Sequence, residues 1–515
     1  MPGDADRILF GGRIFTGERN HTWAKAIAIR GSRIVAVGTD AVAARWAGRR
    51  TRRTDLEGRV VVPGFIDAHA HLADSAGELG WTHLDGTQDL AQAIDRLRTA
   101  AAHTPPGSWV IGVDWDEAKW SDRRFPNRDD LDRVSTTHPV VARRIDCHVG
   151  VVNSYALEQV RDLAGIRGFE VDASGRPTGV LREEAFGQVH GRFESGETEI
   201  EQNLERVTRM AHRLGITSIH DVVDARAWRV YQRAHRAGTL RLRVYGMLRD
   251  DALLDLASAG LMSGLGDEWL RLGAVKVFAD GSLGAHTAAL TAPYSDRAQE
   301  RGMLIHSPTE LRGTLETAHR SGLQSATHAI GDAAIRLVVE TLGSIESEFP
   351  SAELRHRIEH FELPDDETLA KTKATGLVAS CQPNFIGQWS GPGDIYETRL
   401  GLERAWTNNP YRRIVQLGIP LCFGSDGMPY GPLYGIHWAV NGFAEGQRIP
   451  VEEAIRAYSA GGAYAAFEEN QKGTLAAGKL ADFVVLDGDP FGAPETITGC
   501  TVRETWLNGE RVFPR

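Results

Sequence analysis

Cysteine is scarce in this chain. The four residues, Cys147, Cys381, Cys422 and Cys500, form no CxxC pair and no disulfide-like spacing, which points to a reducing compartment. Lysine is scarce as well: only positions 25, 119, 276, 371, 373, 472 and 479 carry it, so each can be weighed on its own. No run of basic residues occurs and the net charge is −10. A nucleic-acid surface requires clustered Lys and Arg, so nucleic acid is not an expected partner. No apolar run approaches the ~20 residues that span a bilayer. The opening MPGDADRILF lacks the basic and apolar segments of a signal peptide. The expectation is a cytoplasmic protein with no membrane partner. Internal repeats and low-complexity tracts are absent too.

The chain has 515 residues, 42% apolar and 24% charged, the balance of a globular protein. That length suggests one large domain with insertions or two to three smaller ones. It can bury a large core without metals or disulfides, so a metal here would serve chemistry rather than folding. Short β-rich runs at 7–15, 25–30 and 33–37 are matched at the other end by 482–487, 501–507 and 510–513, the last two joined by an Asn508-Gly509 turn. The two ends are read as one small β-sandwich domain, 1–58 plus 468–515. Between them, strand-like and helix-like segments alternate, the pattern of a parallel α/β sheet. Eight strand candidates, 60–66, 216–220, 241–247, 273–278, 324–328, 355–360, 377–382 and 419–425, predict a (β/α)₈ barrel over 59–74 plus 206–467. Segment 75–205 does not fit the repeat and reads as an insertion covering the active-site face.

Active sites of such barrels lie where strands end. His69 and His71 close the first strand and, two apart, face the same way. Lys276 sits inside the apolar run LGAVKVFAD, four residues before Asp280-Gly281, where a bare ammonium would be costly. Carboxylated by CO₂, its amine would become an anionic oxygen ligand able to bridge two cations. His328 ends the fifth strand and His360 the sixth. Asp426 ends the eighth, flanked by Gly424 and Gly427. Any one of these residues alone would be unremarkable as a satisfied polar group; together they form a ring of metal-ligand types.

At this point the sequence resembles the amidohydrolase superfamily, and within it the amidohydrolase-3 branch that includes N-substituted formamide deformylases. The motifs run nearly end to end: PGFIDAHAHL (63–72), AVKVFADGSLGAHTAAL (274–290), THAIGDAA (327–334), RIEH (357–360), SCQPNF (380–385), GSDGMP (424–429) and GTLAAGKLADFVVLDGDP (473–490). The resemblance implies two divalent ions, most often Zn²⁺, one on His69, His71 and Asp426 and the other on His328 and His360, bridged by carboxylated Lys276. Such a centre acidifies bound water and polarises a carbonyl. Asp426 would take the proton of the attacking water and deliver it to the leaving nitrogen. Two departures from the branch stand where substrate contacts are expected: His286 follows Ser-Leu-Gly-Ala, and the loop after Asp426 reads GMPYGPLYG.

The insertion motifs GVDWDEAKW (112–120) and DCHVGVVNSYAL (146–157) offer Asp114, Trp115, Asp146 and His148 as an aromatic wall and a hydrogen-bonding group, or as packing residues. Glu183 is a rival for the bridging role, or a helix cap. Gln382 and Trp389 follow strand seven. His220-Asp221, at the end of strand two, is not expected to bind metal. Trp115, Trp120, Phe125, Phe385, Trp389, Tyr430 and Tyr434 predict an apolar, aromatic pocket, with Arg143 or Arg182 as the carboxylate anchor if that expectation fails. The predicted activity is hydrolysis of non-peptide C–N bonds in a small N-formyl or N-acyl amine by metal-activated hydroxide, in a homodimer. The alternatives are an esterase, lactonase or cyclic-amide hydrolase on the same centre. A mononuclear deaminase would need a Glu just after the fifth-strand His, where this chain has His-Ala-Ile-Gly-Asp. A scaffold without activity would have lost its ligands, and all six positions are filled.

Overall fold

The computed structural model describes residues 4–351 and 354–514, so the extreme ends of the two terminal segments lie outside the described residues. Eight parallel strands follow one another in chain order: β1 (Phe65–Ala70), β2 (Ile216–Val223), β3 (Arg243–Arg249), β4 (Leu270–Phe278), β5 (Ser325–Ala329), β6 (Arg357–His360), β7 (Val378–Cys381) and β8 (Leu421–Phe423). Most of their residues are buried on both faces, as strands between helices and a barrel interior must be. The barrel is nearly closed: β1 and β8 are joined not by a ladder but by the Asp426 amide donating to the His69 carbonyl (2.8 Å) and the Ser425 amide donating to Asp67 (2.8 Å). Gly424 permits this seam, since a Cβ there would stand 2.3 Å from the His69 nitrogen.

The helices outside the barrel are amphipathic. Glu197–Arg213, which leads into β2, buries Ile200, Leu204, Val207 and Ala211, a spacing that places them on one face. Pro308–Arg320 starts in a Ser307/Glu310 capping box with Pro at its first turn, where the missing N–H costs nothing. Truncating a fully buried residue of this layer, such as Leu315 or Ile335, to Ala would cost about 2–5 kcal/mol.

The expected first strand, 60–66, is two strands. Val60–Pro63 pairs with Phe483–Asp487 in a six-stranded sheet made from both chain ends, and the barrel begins only at Phe65. Gly64 makes the break, because a Cβ there would lie 2.4 Å from the Thr217 hydroxyl. A periodic apolar run gives no sign of such a change of sheet. A second, four-stranded sheet is built from residues 7–55. Between β1 and β2, a helix α1 (Leu72–Glu78) is followed by a separate six-stranded sheet running from Thr82–His83 to Pro177–Arg182. Among the described residues, no helix is long and apolar enough to cross a membrane.

Candidate metal centre

The C-terminal ends of the strands bring the six expected ligands to one place. Lys276 Nζ lies 3.1 Å from His69 Nε2. Asp426 Oδ1 lies 3.5 Å from His69 Nε2 and 3.1 Å from His71 Nε2. The His328 and His360 rings stand 4.3 Å apart, centre to centre, and His360 is 5.0 Å from His69. Ligand atoms of His69, His71 and Asp426 all fall within 4.8 Å of one another, close enough to grip one ion. Both His360 and Asp426 hold positive φ (72° and 56°), uncommon for residues with side chains and tolerated here where the chain turns out of the barrel.

Two of the candidate ligands are aimed by a buried partner. His69 Nδ1 meets Glu359 at 2.5 Å, which leaves Nε2 facing Lys276 and Asp426. Glu359 is itself fixed by Arg357 (2.8 and 3.0 Å), whose Nη2 also reaches the Ala68 carbonyl and Ser380 while Nη1 donates to His220. His360 Nδ1 pairs with Gln382 (2.8 Å). Asp221 takes the Leu72 and Ala73 amides and the Tyr231 hydroxyl, anchoring the start of α1. Asp280 takes the Ala289, Ile330 and Gly331 amides, tying the end of β4 to the turn after β5. Such outer partners fix tautomer and ring orientation in metal sites.

The electrostatics suit cations. Burial drives His69, His328 and His360 well below the ordinary imidazole range, so they present free lone pairs. Burial works against the charge of Asp426, but His69 and His71 outweigh it and keep the carboxylate ionised. His71 is also disfavoured as a cation by burial, yet Asp426 and Asp74 lift it to about 9; a cation taking Asp426 would displace that proton. Burial lowers Lys276 to about 8, against the pull of Glu359 and Asp426.

The pocket beside these groups is lined by Arg144, His148, Glu362, Phe385, Trp389 and Tyr396, with other residues. His148 reaches it from the insertion. Its Nδ1 pairs with Glu183 at 2.8 Å and its ring is 5.2 Å from that of His328. Burial opposes its charge, but Glu183, then Asp146 and Asp280, raise it to about 9. Glu183 (φ 42°) starts a helix, and its Oε1 is buried without a hydrogen-bond partner.

Three expected substrate contacts lie elsewhere. Trp115 is fully buried in the insertion's own core, against Trp120 (5.8 Å) and Phe125 (5.1 Å), because strand Val110–Trp115 turns it away from the barrel. Asp114 faces His83 (2.7 Å) in place of the pocket. Gln382 holds His360 and is not on the pocket wall. Of the seven aromatics, Phe385 and Trp389 line the pocket; Tyr430 bonds Ser75 and Tyr434 bonds Gln388. Arg143 and Arg182 are held by Glu78 and Glu170, and it is Arg144 that borders the pocket, locked to Glu117 and Asp146. His286 turns to Asp296 (3.0 Å). Glu359, Arg357 and Glu362 were missed as site residues; the available signal was charge at alternate positions 357 and 359 of a buried strand.

The description "Amidohydrolase family" matches residues 53–513. The chain is 29% identical to Protein LONG AFTER FAR-RED 3 of Arabidopsis thaliana, covering 99% of this chain and 92% of that one. It is 26% identical to N-substituted formamide deformylase of Arthrobacter pascens, covering 99% and 98%. An uncharacterized metal-dependent hydrolase from Pyrococcus furiosus superposes with a TM-score of 0.74 at 28% identity, covering 94% of this chain and 100% of the other.

Proposed function

Since the chain belongs to the amidohydrolase family and is a metal-dependent hydrolase, we propose that it cleaves the amide C–N bond of small N-formyl or N-acyl amines. The observation that carries this reading is the convergence of four His, Lys276 and Asp426 at the ends of five strands beside a pocket with apolar and aromatic walls. The deformylase, a relative over almost the whole of both chains, is named for cleavage of such a bond.

The donor set fits two divalent ions, with zinc the expected metal. His69, His71 and Asp426 would hold one and His328 and His360 the other, with Lys276, carboxylated on Nζ, between them. When bound, the ions supply Lewis acidity and an acidified water. Asp426 Oδ1 accepts the proton of the attacking water and hands it to the leaving nitrogen, a role its ionised state permits. His148, cationic through Glu183, offers its free ring N–H to the substrate carbonyl oxygen as charge grows there. Phe385 and Trp389 exclude water and pack the apolar part of the amine or acyl group.

The test is a kinetic panel of N-benzylformamide, N-acyl amino acids, lactones and aminopurines at equal concentration. The proposal expects the formamide to lead. Release of ammonia from aminopurines without amide turnover, or lactone turnover alone, overturns it.

A further inference from the structure

Two carboxyls that the metal centre does not use line the pocket, Asp146 and Glu362, and Glu362 is the one left open. Glu362 lies two residues beyond His360 and is 1% exposed, and neither Oε1 nor Oε2 has a hydrogen-bond partner. Tyr396 and Asn409 are the polar side chains that bear on it most, and the Asn409 amide nitrogen is also without a partner. The neighbouring carboxylates are saturated by contrast. Asp280 takes three backbone amides, Glu359 is held by Arg357 and His69, and Asp146 by Arg144 and Ser282. A buried polar group left open is costly and calls for an explanation.

Its surroundings supply one. Phe385, Trp389 and Tyr396 line the same pocket. The pocket's own cations are already matched: Arg144 by Glu117 and Asp146, His148 by Glu183. Glu362 is therefore an uncompensated acceptor in an aromatic setting, the chemistry that recognises a nitrogen cation.

We propose that Glu362 is a specificity-determining residue that receives a primary ammonium group carried by the substrate away from the bond being cleaved. The assignment rests on the amide-hydrolase reading for what that substrate is, but the binding step does not. Glu362 then accepts two or three N–H bonds while the aromatic walls enclose the adjoining carbon chain.

The experiment is calorimetric binding of benzylamine, protonated at pH 7, and of its neutral counterpart benzyl alcohol to the zinc-loaded enzyme and to Glu362→Gln. The ammonium should bind wild type at least about tenfold tighter than the alcohol, and Glu362→Gln should abolish that preference while leaving alcohol binding unchanged. Glu362→Asp, which keeps the charge on a shorter arm, should retain a reduced preference and serves if the Gln variant does not fold. Equal binding of both probes to wild type, or a preference that survives in Glu362→Gln, overturns the assignment. An equal loss for both probes in the variant means a structural role and also overturns it. Hydrolysis of N-formylbenzylamine and its 4-aminomethyl derivative is followed alongside. Failure of both sinks the amide reading without touching the binding result, and faster turnover of the neutral compound sinks the assignment of Glu362 alone.

Discussion

His69 and Glu359 share a hydrogen bond of 2.5 Å in a setting where neither side chain is exposed to solvent, and this pair orients the whole centre. With Nδ1 committed to Glu359, only Nε2 of His69 remains for a cation. Glu359→Gln keeps the shape but weakens the acceptor. It is expected to lower metal affinity and activity together, by about 10–100-fold. Metal titration with a competing chelator checks this; unchanged affinity would mean that β6 itself, not the carboxylate, holds the ring in place.

Lys276→Ala is expected to abolish activity and lose metal, because among the described residues no other group in reach of His69 Nε2 supplies a bridging anion except Asp426. Addition of a short carboxylic acid should restore part of both. If Lys276→Ala keeps its full metal content while Glu183→Ala loses it, Glu183 is the bridge.

Asp426→Asn should retain the fold, since its backbone amide still bonds the His69 carbonyl, and retain much of the metal through His69 and His71. Turnover should fall about 10²–10⁴-fold, the usual cost of removing a proton carrier. A near-normal kcat would show that the water is activated without it.

A pH-sensitive support lies at the other end of β5. His356 Nδ1 accepts the Ser325 amide (2.9 Å), so its Nε2–H donates to His319 (3.0 Å), whose other nitrogen donates to the Phe349 carbonyl (2.6 Å). Burial, then the neighbouring His319, lowers His356 to about 3. A depressed folded pKa means that stability is full above the unfolded value of 6.5 and is lost as the pH falls below it. At pH 5 His356 should contribute a loss of about 2 kcal/mol, beside those of the buried His69, His328 and His360, and His356→Gln should remove its own share of the slope. Urea unfolding of the chelator-treated protein at pH 7.5 and pH 5 measures it; an unchanged slope in the variant would place the acid sensitivity elsewhere.

The grouping of the candidate ligands was legible because each sits at or near a strand end in an otherwise apolar run, where a polar residue is conspicuous. His69, Lys276, His328, His360 and Asp426 needed only that reasoning, and the barrel order followed from alternation. What sequence could not show is which way a residue faces within an irregular unit. Trp115 and Asp114 read as pocket groups, but the insertion has its own core and its own surface, and both residues serve those. The break at Gly64 depends on the position of Thr217, some 150 residues away, and leaves no mark in a run of apolar residues. Glu359 and Glu362 were obscured by the adjacent His360, whose role absorbed the motif.

The central claim, that two ions held by these six residues cleave an amide bond, is tested most directly by reconstitution. Metal-free protein is titrated with Zn²⁺ in bicarbonate buffer while bound metal and N-benzylformamide hydrolysis are read on the same samples. The account predicts saturation at about two ions per chain, with hydrolysis absent from the metal-free protein and rising as the ions bind. Full hydrolysis by protein stripped of metal would contradict it.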